Sequence, residues 1–164
     1  MTLPKRKLLR LPEFDYNSPG CYFITVCTKD KKPALGTVVV GTGLPDGPHI
    51  LLTDFGKAAE KQLHLMADFY EDIRLDNYVI MPNHMHLLIK ILPGGPLRTP
   101  VPTNSKISSF VGTFKRFCSK EIGSNIWQSR SYDHIVRDED DYFRIWDYIS
   151  NNPARWTEDR FFEE

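Results

Sequence analysis

The chain alternates short apolar runs with polar, glycine-rich and proline-rich breaks, and the period of each run predicts its element. Tyr22 to Thr28 (YFITVCT) is aromatic and β-branched, lies between Pro19-Gly20 and a lysine cluster, and reads as a strand. Val38-Val39-Val40 reads as a second, short strand. The glycines and prolines of 41–48 (GTGLPDGP) break regular structure and predict a surface loop. Thr53 is placed to cap a helix in which Phe55, Ala59, Leu63, Met66 and Tyr70 recur at helical spacing as one apolar stripe. Residues 73–80 (IRLDNYVI) and 84–92 (HMHLLIKIL) predict two strands of an antiparallel hairpin joined through Met81-Pro82-Asn83. The stretch 93–105 (PGGPLRTPVPTNS) contains four prolines and predicts a flexible linker. Ser105 then caps a helix whose buried face is Ile107, Phe110, Val111, Phe114 and Phe117. Residues 126–137 read as extended. Asp138 opens a last helix with acids gathered at its positive end, and Asn152 and Pro153 stop it.

Strand, helix, strand, strand, helix, strand, helix is the order of an α+β domain. Helices pack on an antiparallel sheet, most like a ferredoxin-like split βαβ unit followed by a C-terminal helix. A chain of 164 residues, 41% hydrophobic and 26% charged, buries roughly 70% of its unfolded surface around one core, so a single domain over 1–164 is expected.

Charge adds a second layer. Lys plus Arg and Asp plus Glu both total 21, which excludes a uniformly basic, histone-like binder. The balance is uneven along the chain: residues 1–32 hold seven basic and three acidic side chains, residues 133–164 four basic and ten acidic. Lys5, Arg6, Lys7 and Arg10 form a basic leader within 1–19. There is no run of 18 apolar residues and no apolar signal segment, so no membrane partner is expected. Cys21, Cys27 and Cys118 are odd in number and lack CxxC spacing, which suits a reducing cytoplasm.

Two histidines flank one apolar residue at the start of a strand, His84-Met85-His86, and period 2 puts both imidazoles on one face. Met85, Leu87, Ile89 and Ile91 point to the opposite, core face. Paired imidazoles offer two neutral nitrogen ligands to a divalent cation, too few for structural zinc. Magnesium or manganese acting on phosphate, with the remaining positions filled from elsewhere, fits that donor set. On the last helix Tyr148 and Asn152 are four residues apart and share a face with Ile145 and Ile149, which makes Tyr148 a candidate nucleophile. Tyr132, two residues before His134, is its rival, and spacing alone does not choose between them.

NYVIMPNHMHLLI, SSFVGTFKRF, IWQSRSYDHIVRDEDD and YISNNP, in this order and over nearly the whole chain, resemble the HUH single-tyrosine transposases, especially the REP-associated tyrosine transposase branch. The resemblance implies that His84 and His86 are metal ligands, that Tyr148, 62 positions after His86, is the nucleophile, and that Asn152, one turn on, is the third ligand. Asn152 is one methylene shorter than the glutamine often found there. The cofactor implied is Mg2+ or Mn2+. The activity implied is cleavage and rejoining of single-stranded or hairpin DNA through a 5′-phosphotyrosine intermediate, near the nucleoid, with either a monomer or a homodimer forming the site. Phosphates would be held by Lys5, Arg6, Lys7 and Arg10 of the leader and by Lys115, Arg116 and Lys120 of the second long helix, while Trp127, Gln128 and Arg130 would stack on or hydrogen-bond to bases. A phosphohydrolase using water would keep the histidines without needing Tyr148, and an inactive DNA-binding descendant would need neither.

Overall fold

The computed structural model describes residues 13–40, 47–94 and 105–162. The basic leader residues Lys5, Arg6, Lys7 and Arg10, and most of the two expected loops, lie outside these residues. Among the described residues six strands and three α-helices follow one another: β1 (Gly20–Thr28), β2 (Gly36–Val39), β3 (His49–Leu52), α1 (Asp54–Phe69), β4 (Ile73–Ile80), β5 (His84–Ile91), α2 (Lys106–Ile122), β6 (Trp127–Ile135) and α3 (Glu139–Asn151). A 3-10 segment, Pro153–Glu158, comes after α3.

The main sheet has the order β4-β5-β1-β6, and each neighbouring pair is antiparallel. With α1 between β1 and β4, and α2 between β5 and β6, this is the βαββαβ order of the expected ferredoxin-like unit. The caps explain where the helices begin. Thr53 accepts from the Gly56 amide, Ser105 from Ser108 and Asp138 from Asp141, each satisfying an otherwise orphaned N–H of the first turn. Gly123, at φ 79°, ends α2 in the left-handed region.

The strand pleat separates two apolar layers. Tyr22, Ile24 and Val26 of β1 join Met85, Leu87, Ile89 and Ile91 of β5 in the larger core, where α1 and α2 pack. Phe23 and Leu88, from the alternate positions, join Ile145 and Ile149 of α3 on the other face. Both faces of β5 are therefore covered, as its central place in the sheet requires.

Three expectations change. The predicted strand at 38–40 runs Gly36–Val39 and pairs with β3, a strand of only four residues too short to show alternation. Phe55 is 38% exposed, and the buried position of that turn is Gly56. A Cβ at Gly56 would lie 2.0 Å from the Leu35 carbonyl oxygen, so the first turn of α1 sits too close to the preceding chain for any side chain there. Phe117 is also 38% exposed, and Cys118, fully buried, takes its place at the end of the α2 stripe. Asn152 and Pro153 end the last helix as expected, and the chain beyond them turns back across the histidine face. No described helix is long and apolar enough to cross a membrane.

Candidate active site

His84 and His86 stand on the α3 side of β5, and both are fully buried. Their Nε2 atoms face each other at 3.1 Å. The Nδ1 of His84 lies 2.8 Å from the side-chain oxygen of Asn83, an acceptor, so this nitrogen carries the proton and Nε2 keeps its lone pair. Asn83 is held in that orientation because its Nδ2 donates to the Phe161 carbonyl at 2.8 Å. The Nδ1 of His86 is 2.9 Å from Thr25 Oγ1 on the adjacent strand, and Phe23 stacks on the His86 ring at 5.0 Å. Outer partners of this kind fix the tautomer and aim of a ligating imidazole.

Tyr148 and Asn152 reach the same point from α3. The Tyr148 hydroxyl lies 3.3 Å from His86 Nε2, and its ring is 38% exposed at the edge of the site. Tyr132 lies on β6, opposite Thr25 and one strand further from the histidines, so α3 and not β6 brings a phenol to them. Asn152 is buried, donates from Nδ2 to Asp159 at 3.0 Å, and leaves its Oδ1 buried without a partner.

Sequence reasoning missed Asp159. The turn after the 3-10 segment brings its carboxylate, 1% exposed, to 3.3 Å from the Tyr148 hydroxyl and 3.8 Å from His84 Nε2. Ligand atoms of His84, His86 and Asp159 all lie within 4.8 Å of one another. Phe161 covers the pair, with its ring 4.5 Å from that of His84. No periodic signal marks this segment; the only sequence sign was an Asp within an aromatic stretch beyond a helix that ends in Asn-Pro.

Burial pushes the His84 pKa down to about 4, against a smaller upward pull from Asp159. Burial and then the neighbouring His84 and Arg160 hold His86 well below the usual imidazole range. Both are therefore neutral, the ligand-competent form. The Tyr148 phenol is raised, by burial first and the Asp159 charge second, so the side chain is protonated at neutral pH. The donor set fits a divalent cation: two neutral nitrogens aimed at one point, a buried carboxylate beside them and an orphaned amide oxygen nearby. A buried carboxylate with no cation at hand is costly, and a hard ion offsets that cost.

Acid should therefore destabilise the fold. Above pH 6.5 both the native and the unfolded chain carry a neutral His84. Below it the unfolded chain binds a proton that the native site refuses, down to about pH 4. Stability should fall steadily as the pH drops through this window. Urea unfolding of the metal-free protein at pH 7 and pH 5 reads this directly, and equal stabilities would contradict neutral burial.

The basic residues expected to hold DNA are spread over α2 and β6. Lys115 donates to the carbonyls of Gln128 at 2.8 Å and Arg130 at 3.2 Å, tying α2 to β6, and burial lowers its pKa. Arg130 is exposed and lines a shallow cleft of about 270 Å³ with Lys115, Gly112 and three serines. Arg116 and Lys120 are exposed on α2, with the Arg116 guanidinium 5.5 Å from the Phe117 ring centre. Trp127 is 1% exposed against Phe114 and belongs to the core.

A ferredoxin-like sheet with two histidines buried on one face and a helix tyrosine set against them is the arrangement expected of the single-tyrosine class. No family model matches the chain. It is 33% identical to an uncharacterized protein of Haemophilus influenzae over 174 aligned positions, covering 96% of this chain and 93% of the relative, and it belongs to that protein's family. It is 24% identical over 150 positions, 86% of this chain and 74% of the relative, to a Haemophilus influenzae protein named "Putative REP-associated tyrosine transposase". Its fold is similar to that of a REP-associated tyrosine transposase bound to a REP hairpin, with a TM-score of 0.60 and 23% identity over 84% of this chain and 68% of the other. The resemblance to REP-associated tyrosine transposases is borne out by these two comparisons.

Proposed function

We propose that the chain is a metal-dependent transposase that cleaves and rejoins single-stranded or hairpin DNA through a 5′-phosphotyrosine on Tyr148. The observation that carries this reading is the meeting of the Tyr148 hydroxyl with His86 Nε2 and Asp159 Oδ2, each at 3.3 Å, on a ring still partly open to solvent. A relative solved with a REP hairpin supports DNA as the partner.

His84 and His86, with oxygens of Asp159 and Asn152, would hold the cation. When bound, Mg2+ or Mn2+ supplies a Lewis acid for a phosphate oxygen and a positive charge that offsets the raised pKa of the nearby phenol. Phe23, stacked on His86 and edge-on to Tyr148 at 6.1 Å, fixes the tyrosine ring relative to the histidines. The phenolic oxygen bonds to phosphorus, the bond from phosphorus to the 3′-oxygen breaks, and the tyrosine proton leaves through Asp159, the nearest carboxylate, as the leaving oxygen becomes a 3′-hydroxyl. Attack by a 3′-hydroxyl on the phosphotyrosine reverses these steps, so rejoining needs no nucleotide cofactor. Arg130, Arg116, Lys120 and the leader cations would contact phosphates, and Lys115 would set the distance between α2 and β6.

The test is a denaturing gel of protein mixed with single-stranded oligonucleotides, with Mn2+ or with chelator. An SDS-resistant adduct that requires metal is expected; cleavage without adduct would favour water as the nucleophile, and an adduct formed in chelator would remove the metal. Asp159→Asn keeps the volume and removes the charge, and should weaken Mn2+ binding by at least tenfold in a calorimetric titration. An unchanged titration would take Asp159 out of the ligand set.

A further inference from the structure

Beside Tyr148 lies a cleft of about 400 Å³, lined by Phe23, Tyr132, His134, Arg144, Tyr148 and Arg160. The sheet register explains how it forms. His86, Thr25 and Tyr132 stand in one row across β5, β1 and β6, and Leu88, Phe23 and His134 in the next. Both rows face α3, so the cleft is the floor that the sheet continues past the histidines toward its β6 edge. Tyr132 is 39% exposed on that floor. The Arg160 guanidinium lies 5.4 Å from the Tyr132 ring centre and 4.7 Å from that of Phe161, and among the described residues it has no carboxylate partner. On the far wall Arg144 pairs with Asp141, which also holds His134 at 2.9 Å.

An exposed aromatic face, a guanidinium stacked over it and a second arginine opposite match the two recurring needs of a single strand: a platform for a base and cations for the phosphates on either side of it. We infer that this cleft is the subsite for the nucleotide flanking the scissile phosphate, with Tyr132 as the stacking platform and Arg160 as the phosphate contact. The inference rests on the reading of the chain as an enzyme of single-stranded DNA, and it gives Tyr132 a role other than the nucleophile. Stacking tolerates any base, so the subsite positions the strand and leaves sequence choice to other contacts.

Fluorescence anisotropy with labelled oligodeoxythymidylate measures this on the full chain without cleavage. Tyr132→Ala should weaken binding by about tenfold or more, and Tyr132→Phe, which keeps the ring, should bind like the wild type. Arg160→Gln should lower the slope of log affinity against log salt by about 0.7, the share of one phosphate on a single strand. Circular dichroism of each variant reports its fold. Equal binding by Tyr132→Ala and the wild type would overturn the subsite and leave the proposed function standing, as would a Tyr132→Phe variant as weak as Tyr132→Ala. No binding by the wild type to this strand, or to a DNA hairpin with a single-stranded flank, would overturn both.

Discussion

Tyr148→Phe is expected to bind single-stranded DNA like the wild type and to form no SDS-resistant adduct at any metal concentration. The loss should be complete because, in the proposed reaction, the phenolic oxygen of Tyr148 is the atom that bonds to phosphorus. The structural cost is small. The hydroxyl makes two contacts of 3.3 Å at the edge of the site, and removing it should change stability by no more than about 1 kcal/mol. Tyr132→Phe, by contrast, should form the adduct, since its ring sits two strands away from the histidines, beyond β1. A residual adduct in Tyr148→Phe would point to another nucleophile.

The second large effect is on metal binding. His84→Ala or His86→Ala should abolish adduct formation and remove the stabilisation that Mn2+ gives the wild type. An ion at about 100 times its dissociation constant raises stability by about 2.7 kcal/mol, so the wild-type Tm should climb with Mn2+ and the variant Tm should not. These residues are not the half-exposed strand histidines that an H-x-H pattern commonly marks. Both are fully buried beneath Phe161, so alanine leaves a void and should cost about 2 kcal/mol or more without metal. The readout is therefore the change in Tm on adding metal, which separates loss of a ligand from loss of packing. A variant stabilised by Mn2+ as much as the wild type would contradict the assignment.

Period and capping carried much of this site in the sequence. The alternation of β5 placed two histidines on one face and four apolar residues on the other, and the helical repeat put Tyr148 and Asn152 beside Ile145 and Ile149. These are local properties, set by backbone geometry and by caps at Thr53, Ser105 and Asp138. Asp159 was not legible because its position depends on contacts distant in sequence. A proline ends the helix, a 3-10 segment with no apolar period follows, and the return of the chain is fixed by Asn83 holding the Phe161 carbonyl and by Phe161 packing on His84. The misplaced ends of the α1 and α2 stripes have a related cause. Periodicity ranks positions around a helix but does not sense that Leu35 approaches the first turn of α1, leaving room only for Gly56.

Peptide mapping by mass spectrometry of the adduct trapped with a single-stranded oligonucleotide and Mn2+ tests the central claim most directly. The account predicts a phosphonucleotide on Tyr148, in the peptide that spans the end of α3, and none when chelator replaces the metal. A phosphonucleotide on Tyr132, or a cleaved strand with no protein attached, would contradict it.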